Sequence, residues 1–218
     1  MTKPTHLFTF SGVHGAGKTS VINDLANRLT SIGKRVFVLQ EFPYVPNIQI
    51  GTMEFQAWYQ TAMQQRSAVV KKLEWMFDVI LLDRHPMDVD VYSARLRDSR
   101  VDEVVLEEDV KTMHQAYELD WYWGGSDNDI KMYRHKEYTA MFLFERPVDE
   151  LVLSLQLRRE KETHRKEWGE EKTSYLKEII EKFRLFKKNP KTIFIENEVL
   201  SDTKDLVFDY VIRRIRDD

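Results

Sequence analysis

Gly12-Val13-His14-Gly15-Ala16-Gly17-Lys18-Thr19 has the spacing of a phosphate-cradling loop, with glycine at the first and sixth places and Lys-Thr closing it. Glycine lets backbone N–H groups turn inward around phosphate oxygens, where a Cβ would collide. The helix that follows, opening at Lys18, Thr19 and Ser20, aims the positive end of its dipole at the same anion. Lys18 supplies a point charge for the β and γ phosphates, and the Thr19 hydroxyl a ligand for Mg²⁺. The implied ligand is a nucleoside triphosphate, with ATP the expected phosphoryl donor.

Such a loop works only between a strand and a helix. His6 to Ser11 is a short apolar and aromatic run, and Val21, Ile22, Leu25, Ala26 and Leu29 then recur at helical spacing until Gly33. Five segments read as buried strands: Leu7 to Phe10, Val36 to Leu39, Val79 to Leu82, Ala140 to Phe144 and Ile193 to Ile195. Each is nearly all apolar, as strands covered on both faces are. Helices are expected over Met53 to Lys72, Asp88 to Leu96, Asp102 to Tyr117, Pro147 to Lys161, Ser174 to Lys187 and Asp202 to Arg216. Pro147 is expected as a first helical residue, and Ser201 or Asp202 as a cap. The architecture these imply is α/β: a five-stranded parallel sheet with helices on both faces. In such a sheet chemistry gathers at the carboxyl edge. Glu41, Asp83-Arg84-His85 and Glu145-Arg146-Pro147 follow the second, third and fourth strands and so share that edge with the glycine loop.

At 218 residues and 42% hydrophobic content the chain can bury one sizeable core, and a single domain over 1–218 is expected. Residues 98–138 break the order. An acidic stretch gives way to Trp121-Tyr122-Trp123-Gly124-Gly125, which reads as an insertion able to close over a substrate, form a homodimer contact or pack locally. The net charge of -3 argues against bulk nucleic acid as a partner. No cysteine is present, so disulfides and thiolate–metal chemistry are excluded. No secretory pattern and no membrane-length apolar run occurs, which leads us to expect a cytoplasmic protein with no membrane partner.

Phosphate loops serve switches, motors and kinases. No Asn-Lys-x-Asp guanine-reading motif is present, which counts against a GTPase. The third strand ends Leu81-Leu82-Asp83-Arg84, without the Asp-Glu pair by which mechanical ATPases activate water. At these residues the chain resembles the deoxynucleoside kinase and thymidylate kinase group. The loop at 12 to 19 and Asp83-Arg84-His85-Pro86 look most like the viral thymidine kinase branch. Glu41-Phe42-Pro43 is similar to the Glu-Pro segment ending the second strand in that group, and Phe55-Gln56-Ala57-Trp58-Tyr59 to a Phe-Gln-Ser-Tyr stretch whose glutamine reads the nucleobase. The group's Glu-Pro-Val-x-x-Trp becomes Glu-Phe-Pro-Tyr-Val-Pro here, which leaves substrate identity open.

The resemblance implies a phosphotransferase with a helical lid over residues 158–172 and a small nucleoside or nucleotide as acceptor. Glu41 would accept the proton of a 5'-hydroxyl, unless it is a solvated loop carboxylate. Asp83 would hold Mg²⁺ or its water, and Arg84 would orient the acceptor's 5' oxygen or grip its phosphate with its planar fork; an Asp–Arg ion pair is the plain structural alternative. Gln56, Trp58 and Tyr59 would contact the base, or else belong to an ordinary amphipathic helix. Arg66 would match the helix arginine that grips an acceptor phosphate in thymidylate kinases, which favours a monophosphate. Arg158 or Arg159 would be the lid arginine, against a solvated helix of ion pairs. His14 and His85 read as hydrogen-bonded loop residues. In that group the adenine is met largely by backbone and stacking near the lid and after the last strand, here around Glu196 to Glu198. Three functions stand: a (deoxy)nucleoside kinase, a (deoxy)nucleoside monophosphate kinase, and an ATP-binding or ATPase module with no small acceptor.

Overall fold

The computed structural model describes residues 5–41, 53–85, 88, 91, 138–161, 172–196 and 199–216. Five strands, β1 (His6–Gly12), β2 (Val36–Leu39), β3 (Val79–Asp83), β4 (Ala140–Glu145) and β5 (Thr192–Glu196), form one sheet in the order β2-β3-β1-β4-β5. Every pairing is parallel, with Phe10 opposite Asp83 and Phe142, and Gly12 opposite Phe144. Five α-helices are described: α1 (Lys18–Ser31), α2 (Met53–Leu73), α3 (Val148–Lys161), α4 (Thr173–Arg184) and α5 (Leu200–Arg216). Those expected over 88–96 and 102–117 lie outside the described residues, apart from Asp88 and Val91. So do all of the expected insertion but Tyr138, and the lid residues 162–171.

β1 is central because it is buried along its whole length. Phe8 and Phe10 lie against Phe142, with ring centroids 6.1 and 5.1 Å apart, and Tyr210 of α5 meets Phe142 edge-on at 5.5 Å. These rings join one face of the sheet to α5, which in turn packs on α1. With the right-handed crossovers that parallel sheets take, this strand order puts α3 and α4, in the β4-to-β5 connection, on the face opposite α1. The helices are therefore on both sides of the sheet.

Two caps differ from expectation. Pro147 precedes α3 and its carbonyl accepts the first helical bond from Leu151, so it stands at the N-cap rather than inside the helix. α5 starts earlier than Ser201 or Asp202 would cap it: Thr203 donates both its N–H and its hydroxyl to Val199. Gly33 does end α1, with φ 81° and its N–H on the Thr30 carbonyl.

Candidate active site

The loop between β1 and α1 is shaped before any ligand arrives. Gly12 has φ 122°, and a Cβ there would run into the carbonyl of Phe144 on the neighbouring strand. Gly17 caps α1 at φ 90° with no side chain on the helix end, and the first turn carries no acidic residue. The first N–H groups of α1 and its dipole are thus left to an external anion. Val13 and Ala16 are buried and fix the loop from below. On the other side the Ser154 hydroxyl of α3 donates to the Gly15 carbonyl at 3.3 Å.

Lys18 folds back over the loop and donates to the carbonyls of Gly12 at 2.9 Å and Val13 at 2.7 Å. Burial, and then the neighbouring charge of Arg84, lowers its pKa to about 7. An ammonium so placed gains from a triphosphate more than an exposed lysine would. Thr19 donates its hydroxyl to Asp83 Oδ2 at 2.6 Å, while Asp83 Oδ1 is buried with no hydrogen-bond partner among the described residues. A hydroxyl beside a carboxylate that has an oxygen to spare is what Mg²⁺ takes from protein when phosphates and water supply the rest. These residues fit the ion. Among the described residues no cluster of three or more His, Cys, Asp or Glu side chains forms a separate metal site.

Arg84 is the hub of the edge. It has φ 85°, unusual for a residue with a side chain, and its guanidinium is almost fully buried. Nε donates to Glu41 Oε1 at 2.8 Å, Nη1 to the Gly12 carbonyl at 2.6 Å, and Nη2 meets His14 Nδ1 at 2.8 Å. Nη1 also lies 3.4 Å from Asp88 Oδ2, and the other Asp88 oxygen accepts from the Ser11 hydroxyl at 2.6 Å. Arg84 is therefore paired with Glu41 and Asp88, not with the adjacent Asp83. Strain at such a φ costs of the order of 1–3 kcal/mol and persists where contacts over-determine it, as four partners do here.

Arg66, on α2, reaches the carboxyl edge of the sheet. Its two terminal nitrogens donate to the carbonyls of Leu39, Gln40, Glu41 and Asp83. It clamps the ends of β2 and β3 together and so sets where Glu41 stands. Burial is the main cause that lowers its pKa. Nearby on α2, Tyr59 is buried and Trp58 half-buried, their rings 6.3 Å apart; Gln56 lies on the same helix. Arg158 and Arg159 are half-buried on the last turns of α3, one helical turn beyond Ser154 and Leu155, the residues beside Gly15. His85 is buried with its ring edge on Tyr138, centroids 4.9 Å apart.

The sequence reading passed over Ser11 and Asp88 as site residues. Arg84 leaves β3 at φ 85°, outside any helix, so its spacing of four from Asp88 carried no helical signal that would have paired them. A cavity of about 610 Å³ also opens at the ends of β4 and β5, lined by Glu145, Arg146, Pro147, Ile180, Arg184 and Glu196. It includes none of the loop residues. Glu145 and Arg184 pair inside it, and Glu196 lies 3.5 Å from Lys187.

Neither a family model nor a curated protein sequence matches this chain. Among solved structures it is similar to a deoxyadenosine kinase from M. mycoides with bound dATP, with a TM-score of 0.66 and 12% identity, covering 94% of this chain and 98% of that one. The two share a fold, a five-stranded parallel sheet with helices on both faces. Among the described residues no helix is long and apolar enough to cross a membrane.

Proposed function

We propose that this protein transfers the γ-phosphoryl group of ATP to the 5'-hydroxyl of a nucleoside, most simply a deoxynucleoside. The observation that carries the reading is the Glu41 carboxylate, held at 2.8 Å by Arg84 at the same sheet edge as the phosphate loop. A neutral hydroxyl acceptor needs a base in that position, whereas a phosphate acceptor brings its own charge and needs cations. Arg66, the residue a monophosphate would call on, is instead engaged with four backbone carbonyls. The structural neighbour, a deoxyadenosine kinase, supports the same choice.

In this reading Lys18 leaves the Gly12 and Val13 carbonyls and moves onto the triphosphate, alongside the N–H groups of the loop and of α1. Thr19 and Asp83 would hold Mg²⁺, which would supply charge neutralisation for the transferring phosphate. Glu41 takes the proton of the 5'-hydroxyl as that oxygen forms its bond to the γ phosphorus and the bond to the departing ADP breaks. Arg84 keeps Glu41 in place, and Arg158 or Arg159 stabilises charge on the moving group. Gln56, Trp58 and Tyr59 face the task of binding the base. Of the two rings, Trp58 is the better placed for stacking, because Tyr59 is buried.

The test is a panel of nucleosides and nucleoside monophosphates, deoxyadenosine included, incubated with Mg-ATP and read by product mass. Glu41→Gln should lower turnover on the accepted nucleoside by about 100-fold or more while ATP still binds. Phosphorylation of monophosphates alone, or retention of most activity in Glu41→Gln, would overturn the reading. ATP binding with no phosphorylated product from any acceptor would return the protein to the class of ATP-binding modules.

A further inference from the structure

The phosphate loop, the metal ligands and Glu41 leave one buried charged group without a task, Asp88. Its side chain is fully buried, and a buried carboxylate is retained only where its partners compensate its lost hydration. Those partners are Ser11, the last side chain before the phosphate loop, and the far end of the Arg84 guanidinium. The near end of that guanidinium, Nε, is the atom that meets Glu41. Arg84 is therefore suspended between two carboxylates, one half-buried at the mouth of the site and one sealed beneath it.

Resting on the proposed role of Glu41, we infer that Asp88, anchored by Ser11, is a positioning residue for phosphoryl transfer, fixing the Arg84 fork so that its Nε edge sets the orientation of Glu41. A planar guanidinium transmits orientation as a rigid plate: holding one terminal nitrogen fixes the direction of the opposite edge. The Gly12 carbonyl, shared by Arg84 Nη1 and Lys18 Nζ, marks the same plate's contact with the phosphate loop. With Asp88 neutralised, the charge that balances Glu41 across the guanidinium is gone; Arg84 shifts toward Glu41 within the limits that the Gly12 carbonyl and His14 still set, and Glu41 loses its set angle to the acceptor oxygen.

Asp88→Asn is the informative change, since the amide keeps the volume and can still accept from Ser11. On the full chain with Mg-ATP and the accepted nucleoside, turnover should fall by about 10- to 100-fold, the scale expected when a reacting group is misplaced by about an ångström. The KM for ATP should change less than turnover does, because Lys18 and the loop carbonyls it bonds stay in place. In an Arg84→Lys background the Asp88→Asn change should cost nothing further, because the plate through which it acts is gone. In ¹⁵N-labelled protein the Arg84 Nε–H resonance, assigned by its loss in Arg84→Lys, should shift and exchange faster in Asp88→Asn. Wild-type turnover and an unmoved resonance in Asp88→Asn would overturn the inference, as would full additivity with Arg84→Lys. If the wild-type protein phosphorylates no nucleoside, the functional reading fails by itself, and the resonance alone then decides whether Asp88 positions Arg84.

Discussion

At the scale of single residues the site concentrates charge in a place where charge is costly. Lys18, Arg66, Asp83, Arg84 and Asp88 are all buried. Burial raises the pKa of Asp88 from 3.8 to about 6, against the opposing pull of Arg84 and the Ser11 hydroxyl. Between about pH 4 and 6 the folded protein keeps a proton there that the unfolded chain has released, so stability is greatest below that window and is lost as the pH rises through it. The size is roughly 3 kcal/mol at most. Lys18 acts in the other direction. Its folded value of about 7 lies below the unfolded 10.5, so the unfolded chain holds the extra proton from about pH 7 upward and stability rises with pH. The nucleotide-free protein should therefore be least stable between about pH 6 and 7. Urea midpoints measured across pH 4 to 10 check this, and Asp88→Asn should flatten the limb between about pH 4 and 6; an unchanged limb would refute the assignment to Asp88.

At the scale of elements, the close approach of β1 to β4 depends on Gly12. Its φ of 122° and the carbonyl of Phe144 leave no space for a Cβ, whereas at Gly33 nothing lies within 4 Å of an added Cβ and only the φ of 81° objects. Gly12→Ala should cost about 3 kcal/mol or more, from backbone strain plus overpacking, and Gly33→Ala about 1–2 kcal/mol. Chemical denaturation of the two variants reads the difference directly; equal costs would mean that the strands part freely at Gly12. The same contrast explains what was legible beforehand. The strands could be read because a strand buried on both faces is a continuous apolar run, as in Val79–Asp83 and Ala140–Glu145. The loop could be read because its spacing is local. The helices start at Val148 and Leu200, one residue after and two residues before the expected Pro147 and Asp202, because the first intrahelical bonds close on the Pro147 and Val199 carbonyls, and side-chain type alone does not fix a start to within a residue or two. The Arg84–Glu41 pair joins residues 43 apart, and the Arg66 clamp depends on where two strand ends arrive, neither of which is written in any local pattern.

At the scale of the whole molecule, the order β2-β3-β1-β4-β5 brings Glu41, Asp83 with Arg84, and the phosphate loop to adjacent places on one edge, since β2, β3 and β1 are neighbours there. The donor site is thus built from the centre of the sheet, and its occupation should be felt by the entire fold. A ligand that binds only the folded state at 100 times its Kd stabilises by about 2.7 kcal/mol, which for a domain of this size raises Tm by roughly 5–10 °C. Mg-ATP should produce such a shift in a thermal scan. Lys18→Ala should retain a cooperative transition of its own and yet show almost none of the shift, because the loop keeps its shape through Gly12, Val13 and Ala16 but loses the cation that meets the phosphates. A full Mg-ATP shift in Lys18→Ala would place the nucleotide elsewhere, with the cavity between Glu145, Arg184 and Glu196 as the site to test next.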